Sequence, residues 1–508
     1  MNQEPSTLLI RNARVITMDR QTPCAEAVRL RNGLVLDHRD DATGIDHVID
    51  AEGRLVVPGL VDSHLHLIQG GLSLGQLDLS EATSRDRFEQ LIAQEHAELP
   101  SGQWLRGHGW SETDLGDLVP DAGWLAACGD RPAICYRMDY HVCVVNEAVL
   151  EMIPDGDSPE GGAIMRDDSG RRTGVFVEQA AWKLINPLVP DQTAGQKIEA
   201  LMKAQDHLLS LGVTSVGTYE YARDLHDVLV PSRGDLEIRC MVSLLDREWP
   251  LDTTIGADVQ PCQRLEVIGF KSFIDGTLGA RTARMLQPYA DAPDSRGLLV
   301  ELAADGLLGD WVARVLEAGR SPSMHAIGDE AVRLALDALD EAGDTRRGRI
   351  EHAQTIHEDD LPRCRDRWLS MQPYHRADDG RFAMTCLGRE RMPRFFPFRS
   401  LLDNGAKLAF GSDWPVVNCD PIEGMHAATS GRDLDGRPVN EKEAITGMAA
   451  LEAYTSSAAD MLGLHGCGRL GCGHNGDLVM LDGELPPDDR GCSAVLTISG
   501  GAIVYDRR

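Results

Sequence analysis

The chain has 508 residues, 42% of them hydrophobic and 51 of them glycine, which describes an ordinary globular protein too long for one simple core. Its 50 basic against 80 acidic residues leave a net charge of −30, which repels phosphate backbones and anionic lipid and sets aside nucleic acid and membrane as partners. The first residues, MNQEPSTLLIRNARVITMD, lack the basic and long apolar runs of a signal peptide, and no window nears the roughly 18 apolar residues of a membrane span.

The first fifty-odd residues read as short strands and turns: LLIRNARVITM, EAVRLRNGLVL and HVIDAEGRLVVPG. The last forty-odd, with GDLVMLDG and AVLTISGGAIVY, carry the same alternation and Gly/Asn turns. Neither end is long enough alone, so residues 1–58 and 464–508 are expected to pair into one composite β-sandwich domain. Between them, at 59–463, strand-like runs alternate with helical stretches, the pattern of a parallel sheet. Strands are predicted at 60–66, 212–219, 238–245, 265–275, 322–328, 349–354, 368–375 and 407–416. Eight βα units predict an α/β fold of the TIM (β/α)8 barrel type. The first gap is several times longer than a βα unit needs, which predicts an insertion at about 72–200 at the barrel mouth. A doubly wound sheet is the alternative, but no glycine-rich phosphate loop follows an early strand. Twelve scattered cysteines, Cys467 and Cys472 nearest each other, match no zinc-ribbon spacing and read as reduced thiols of a cytoplasmic protein.

Functional residues of such barrels stand at the C-terminal ends of the strands. The first strand, in VPGLVDSHLHLIQGG, carries Asp62, His64 and His66 on one face of an alternating ribbon. Taken alone, that pair is as compatible with a satisfied polar cluster as with metal ligands. The other ends supply Lys271 in GFKSF, His325 in SMHAIGD, His352 in IEHAQ and Asp413 in AFGSDWP. Four imidazoles, a carboxylate and a lysine converging on one rim point to a metal. Trp110, His141, Gln372, Tyr374 and Trp414 are candidates to line a substrate pocket, each with a structural alternative. Arg281 is a candidate for a substrate carboxylate, with a structural salt bridge as the stronger alternative. Asp275, Gly276 and Gly279 are expected to shape the loop after the lysine strand. His108, His357, His375, His426 and His465 do not fall at ligand positions and are read as structural.

Nearly end to end, the chain resembles the amidohydrolase superfamily, in the branch of N-substituted formamide deformylases and related metal-dependent hydrolases. The resemblance is carried by VPGLVDSHLH, FKSFIDGTLGARTARM with PYAD, SMHAIGDEAV, RIEHAQ, SMQPYH and AFGSDWPV. GRLGCGHNGDLVMLD and SGGAIVYDRR match at the tail, and GHGWSETD and DRPAICYRMDYHVCVVNEAVL match within the insertion. Tyr140 departs from it, standing where the branch has a small residue before the histidine, which implies a narrowed or reshaped pocket.

The resemblance implies two divalent metal ions, zinc foremost, with manganese and iron open because the same ligands bind them. His64, His66 and Asp413 would hold the buried ion, His325 and His352 the exposed one, and Lys271, as a carbamate, would bridge them. Ions about 3.5–4 Å apart would supply hydroxide at neutral pH, with Asp413 as general base and acid and the exposed ion polarising the carbonyl. Asp413, Lys271 and His325 are then the catalytic residues. The implied reaction is hydrolysis of a C–N bond in a small amide, N-formyl or N-acyl compound. Ester or lactone hydrolysis and isomerisation stay open on the same centre, and a catalytically silent scaffold is disfavoured because all six positions are filled. The expected partner is a small-molecule substrate, and a homodimer is compatible with this reading.

Overall fold

The computed structural model describes residues 7–159, 161–246, 248–343, 347–486 and 491–508; the parts of the expected terminal domain at 1–6 and 487–490 lie outside them. At its centre stand eight parallel strands: Leu60–Leu65, Val213–Glu220, Arg239–Leu244, Leu265–Phe273, Ser321–Ala326, Arg349–His352, Trp368–Met371 and Lys407–Phe410. They pair in chain order, and all eight expected strands are among them. The eighth meets the first through the bonds Asp413 N to His64 O, 2.7 Å, and His66 N to Trp414 O, 2.8 Å. That join needs a glycine: a Cβ on Gly411 would stand 2.5 Å from the His64 nitrogen. The fold is the TIM barrel, and the doubly wound alternative is excluded.

The helices close the outside of the barrel with apolar stripes at helical spacing. Ala194–Ser210 starts at a capping box formed by Thr193 and Gln196 and buries Ala200, Leu201, Ala204 and Leu208 toward the first two strands. Asp329–Glu341 buries Ala331, Val332, Ala335, Leu336 and Leu339. The strands are buried on both faces, which is why the first reads almost entirely as core despite its polar residues.

The two ends of the chain share a six-stranded sheet, in which Leu55–Pro58 pairs antiparallel with Leu478–Leu481. A four-stranded sheet from residues 7–50 packs with it around Ile10, Val28, Leu30, Val56, Met480 and Ile498. Arg239 on the third barrel strand is bound to Asp477 at 3.0 Å, with both side chains buried, tying the tail to the barrel. Between the first and second barrel strands, residues 77–178 form a separate six-stranded sheet over their own core, including Phe88, Trp110 and Trp124.

Candidate metal centre

The rim is organised from beneath by buried hydrogen bonds that each hold one nitrogen of His64, His325 and His352. His64 bonds Glu351 Oε2 through Nδ1 at 2.7 Å, and Arg349 holds the same carboxylate at 2.9 Å. Arg349 in turn reaches the Tyr219 hydroxyl, 2.7 Å, and the Ser63 carbonyl, 3.1 Å. This leaves His64 Nε2 for the site, where Lys271 Nζ stands 3.0 Å away and Asp413 Oδ1 3.2 Å. Asp413 Oδ1 is also 3.4 Å from His66 Nε2. His325 Nδ1 meets Asp275 Oδ1 at 3.2 Å, and its ring lies 4.5 Å from that of His352, centroid to centroid. His352 Nδ1 is 2.9 Å from Gln372 Oε1. An amide oxygen can only accept, so this nitrogen carries the proton and Nε2 carries the lone pair.

Backbone conformation aims two of these side chains. His352 and Asp413 both stand at left-handed φ, 69° and 63°, at the ends of their strands, where the chain turns into the mouth. Tyr140, Glu178 and Arg281 around the cavity share that conformation, at 60°, 51° and 57°.

The six expected residues therefore converge. One donor atom each from His64, His352 and Asp413 lies within 4.8 Å of the others. His352 Nε2 is buried with no hydrogen-bond partner among the described residues, the state that a cation would satisfy. Burial holds the His352 imidazole well below its usual pKa, so it is neutral with its lone pair available, and burial likewise lowers His325 and His66. Burial works against ionisation of Asp413, but His64, His66 and His352 together hold its carboxyl well below the usual range. Imidazole nitrogens and a carboxylate are a donor set for divalent metal, and the residues fit one.

His66, Lys271, His325, His352 and Asp413 line a cavity of about 1500 Å³ whose far wall comes from the 77–178 sheet. His141 lines it as expected, with Nδ1 bonded to Glu178 Oε2 at 2.8 Å and Glu178 held in turn by Thr282 at 2.6 Å. Tyr140 is in this wall, its ring stacked 6.1 Å from His108. Arg281 also reaches the cavity, but its guanidinium is bound to Asp291 at 2.6 Å, the structural alternative.

Four expected substrate contacts do not line the cavity. Trp110 is fully buried in the core of the 77–178 sheet, its indole N–H given to the Cys135 carbonyl at 2.9 Å, while its neighbours Ser111 and Glu112 face the cavity. Gln372 is spent on orienting His352. Tyr374, at the start of the helix Pro373–Leu387, is not among the residues that line the cavity. Trp414 lies flat against Gly70, where a Cβ would come within 2.2 Å of its ring, and Pro415 and Val416 face the cavity instead. Conversely, His375, read from the sequence as structural, belongs to the site, as do Glu351 and Gln354, which sequence reasoning passed over; their closeness to His352 in IEHAQ is the signal that could have found those two.

A parallel barrel with this donor set at its C-terminal rim defines a metal-dependent hydrolase. The chain belongs to the amidohydrolase family, whose sequence profile matches residues 47–505. It is 32% identical over 538 residues to the protein LONG AFTER FAR-RED 3 of Arabidopsis thaliana, covering 98% of this chain and 91% of that one. It is 24% identical over 546 residues to the N-substituted formamide deformylase of Arthrobacter pascens, covering 98% of each. Among solved structures, an uncharacterized metal-dependent hydrolase from Pyrococcus horikoshii superposes with a TM-score of 0.76 at 28% identity, covering 94% of this chain and 98% of that one.

Proposed function

We propose that the protein hydrolyses the C–N bond of a small amide, an N-formyl or N-acyl compound. The observation that carries the reading is the buried convergence of His64, His352 and Asp413, beside Lys271, His66 and His325, at the edge of a large cavity. Similarity along the whole chain to a formamide deformylase supports the choice of bond.

His64, His66 and Asp413 would hold one divalent ion, His325 and His352 a second, with zinc the first candidate. Lys271, carbamylated on its amine, would lie between the two sets. Divalent ions there supply Lewis-acid polarisation of a carbonyl and a water acidic enough to attack it.

The protein's own part is orientation and proton transfer. Glu351, Asp275 and Gln372 each occupy one nitrogen of a histidine and so fix which nitrogen faces the mouth. Asp413 Oδ1 sits between His64 and His66, which leaves Oδ2 to take a proton from the attacking water and return it to the departing nitrogen. The 77–178 sheet forms the far wall of the cavity, with His141 and Tyr140 in it.

The test is a hydrolysis panel of N-formyl amines, N-acyl amino acids, cyclic amides and matched esters, run with elemental analysis of the purified protein. The expected result is close to two divalent ions per chain, fewer in His64→Ala and His325→Ala, and turnover of at least one amide class. Full activity without bound metal, or turnover of esters alone, would overturn the proposal.

A further inference from the structure

We infer that His375 is a further catalytic residue, whose Nε2–H donates a hydrogen bond to the substrate's carbonyl oxygen as negative charge develops there. The inference deepens the hydrolase reading above and rests on it.

His375 is buried in the first turn of the helix that follows the seventh barrel strand, and it faces the same cavity as His66, Lys271, His325, His352 and Asp413. Its ring lies nearly parallel to that of His352, with 17° between planes and 6.3 Å between centroids. The two rings are wired oppositely. On His352 an amide oxygen, that of Gln372, faces Nδ1, which leaves a lone pair at Nε2. On His375 an amide nitrogen, that of Gln354, faces Nδ1 at 3.4 Å. An amide nitrogen only donates, so Nδ1 accepts and the ring proton is on Nε2.

This proton has no acceptor among the described residues. His375 Nε2 is buried without a hydrogen bond, and Asp413 Oδ2, at 4.0 Å, is beyond reach. Buried donors are rarely left so, and an acceptor delivered from the cavity accounts for this one. A lone pair at His352 suits a cation, whereas an N–H at His375 repels a cation and suits an oxyanion. The pair would place the donor next to the cation ligands, on the side of Asp413 where the proton is exchanged. A fixed donor at the site of charge development is what stabilises an acyl-transfer transition state.

The experiment compares metal-loaded wild type with His375→Ala and His375→Gln, the latter retaining a side-chain N–H. Three quantities are read: ions per chain, the calorimetric affinity for inorganic phosphate as a tetrahedral oxyanion probe, and kcat on the best amide of the panel. The alanine variant should keep the wild-type metal content and bind phosphate about tenfold or more weakly, as loss of a charge-assisted hydrogen bond requires. Its kcat should fall by about 10²–10³-fold, with glutamine restoring part of both losses.

Unchanged phosphate affinity overturns the inference, and so does loss of an ion from His375→Ala, which would make the residue a ligand. If the alanine variant does not fold, Gln354→Leu removes the amide that fixes the tautomer while keeping His375. It should weaken phosphate binding in the same sense, and unchanged affinity there counts against the inference. If no amide is turned over, the hydrolase reading falls and the phosphate comparison still decides this one.

Discussion

At Asp413 one side chain is asked for two services, and an amide can imitate only one of them. Asp413→Asn still presents an oxygen between His64 and His66, so it should keep most of the metal, yet it cannot accept a proton. The expected loss is at least ~10²-fold in kcat, read in metal-replete protein; near-normal turnover would leave Asp413 a ligand only. Glu351 acts one bond further out. It touches no substrate, but its carboxylate presents His64 Nε2 to the site. Glu351→Gln should weaken metal affinity about 10–100-fold in chelator competition, the usual loss when such a supporting contact goes, and an unchanged dissociation constant would show that packing alone orients His64.

The eight strands and the six rim residues are legible in the sequence because strand ends in a parallel barrel fall at one rim whatever the rest of the chain does. What is illegible is set by contacts across the chain. The proton position on His375 depends on Gln354, 21 residues away and on another element. Trp110 looks like a pocket residue because GHGWSETD runs along the cavity, but a strand shows alternate sides, and this one turns its tryptophan inward. Trp110→Ala should therefore behave as a core deletion, lowering unfolding free energy by about 3–5 kcal/mol. A denaturant titration checks this; an unchanged midpoint with a raised KM would return Trp110 to the pocket.

Across the whole molecule, the buried carboxyl of Glu220 makes stability depend on pH. It stands at the end of the second barrel strand and accepts hydrogen bonds from the Thr218 hydroxyl, 2.7 Å, and the Ile68 amide, 3.2 Å. Burial pushes its pKa from 4.5 to about 7. The native state thus binds a proton that the unfolded chain releases, so this contribution is complete below about pH 4.5, declines as pH rises, and is gone above about 7. The loss amounts to about 3 kcal/mol at most. Glu220→Gln keeps the accepting oxygen and removes the titration, so urea midpoints from pH 5 to 7.5 should fall less in the variant; parallel curves would assign the slope elsewhere. The left-handed backbone at Tyr140, Glu178, Arg281, His352 and Asp413 has a similar bearing on how the protein can change. Each such residue costs about 1–3 kcal/mol, and glycine or asparagine would relieve part of it. A laboratory lineage selected only for heat tolerance would find its easiest gains at these positions, and would shed its chemistry as it hardened.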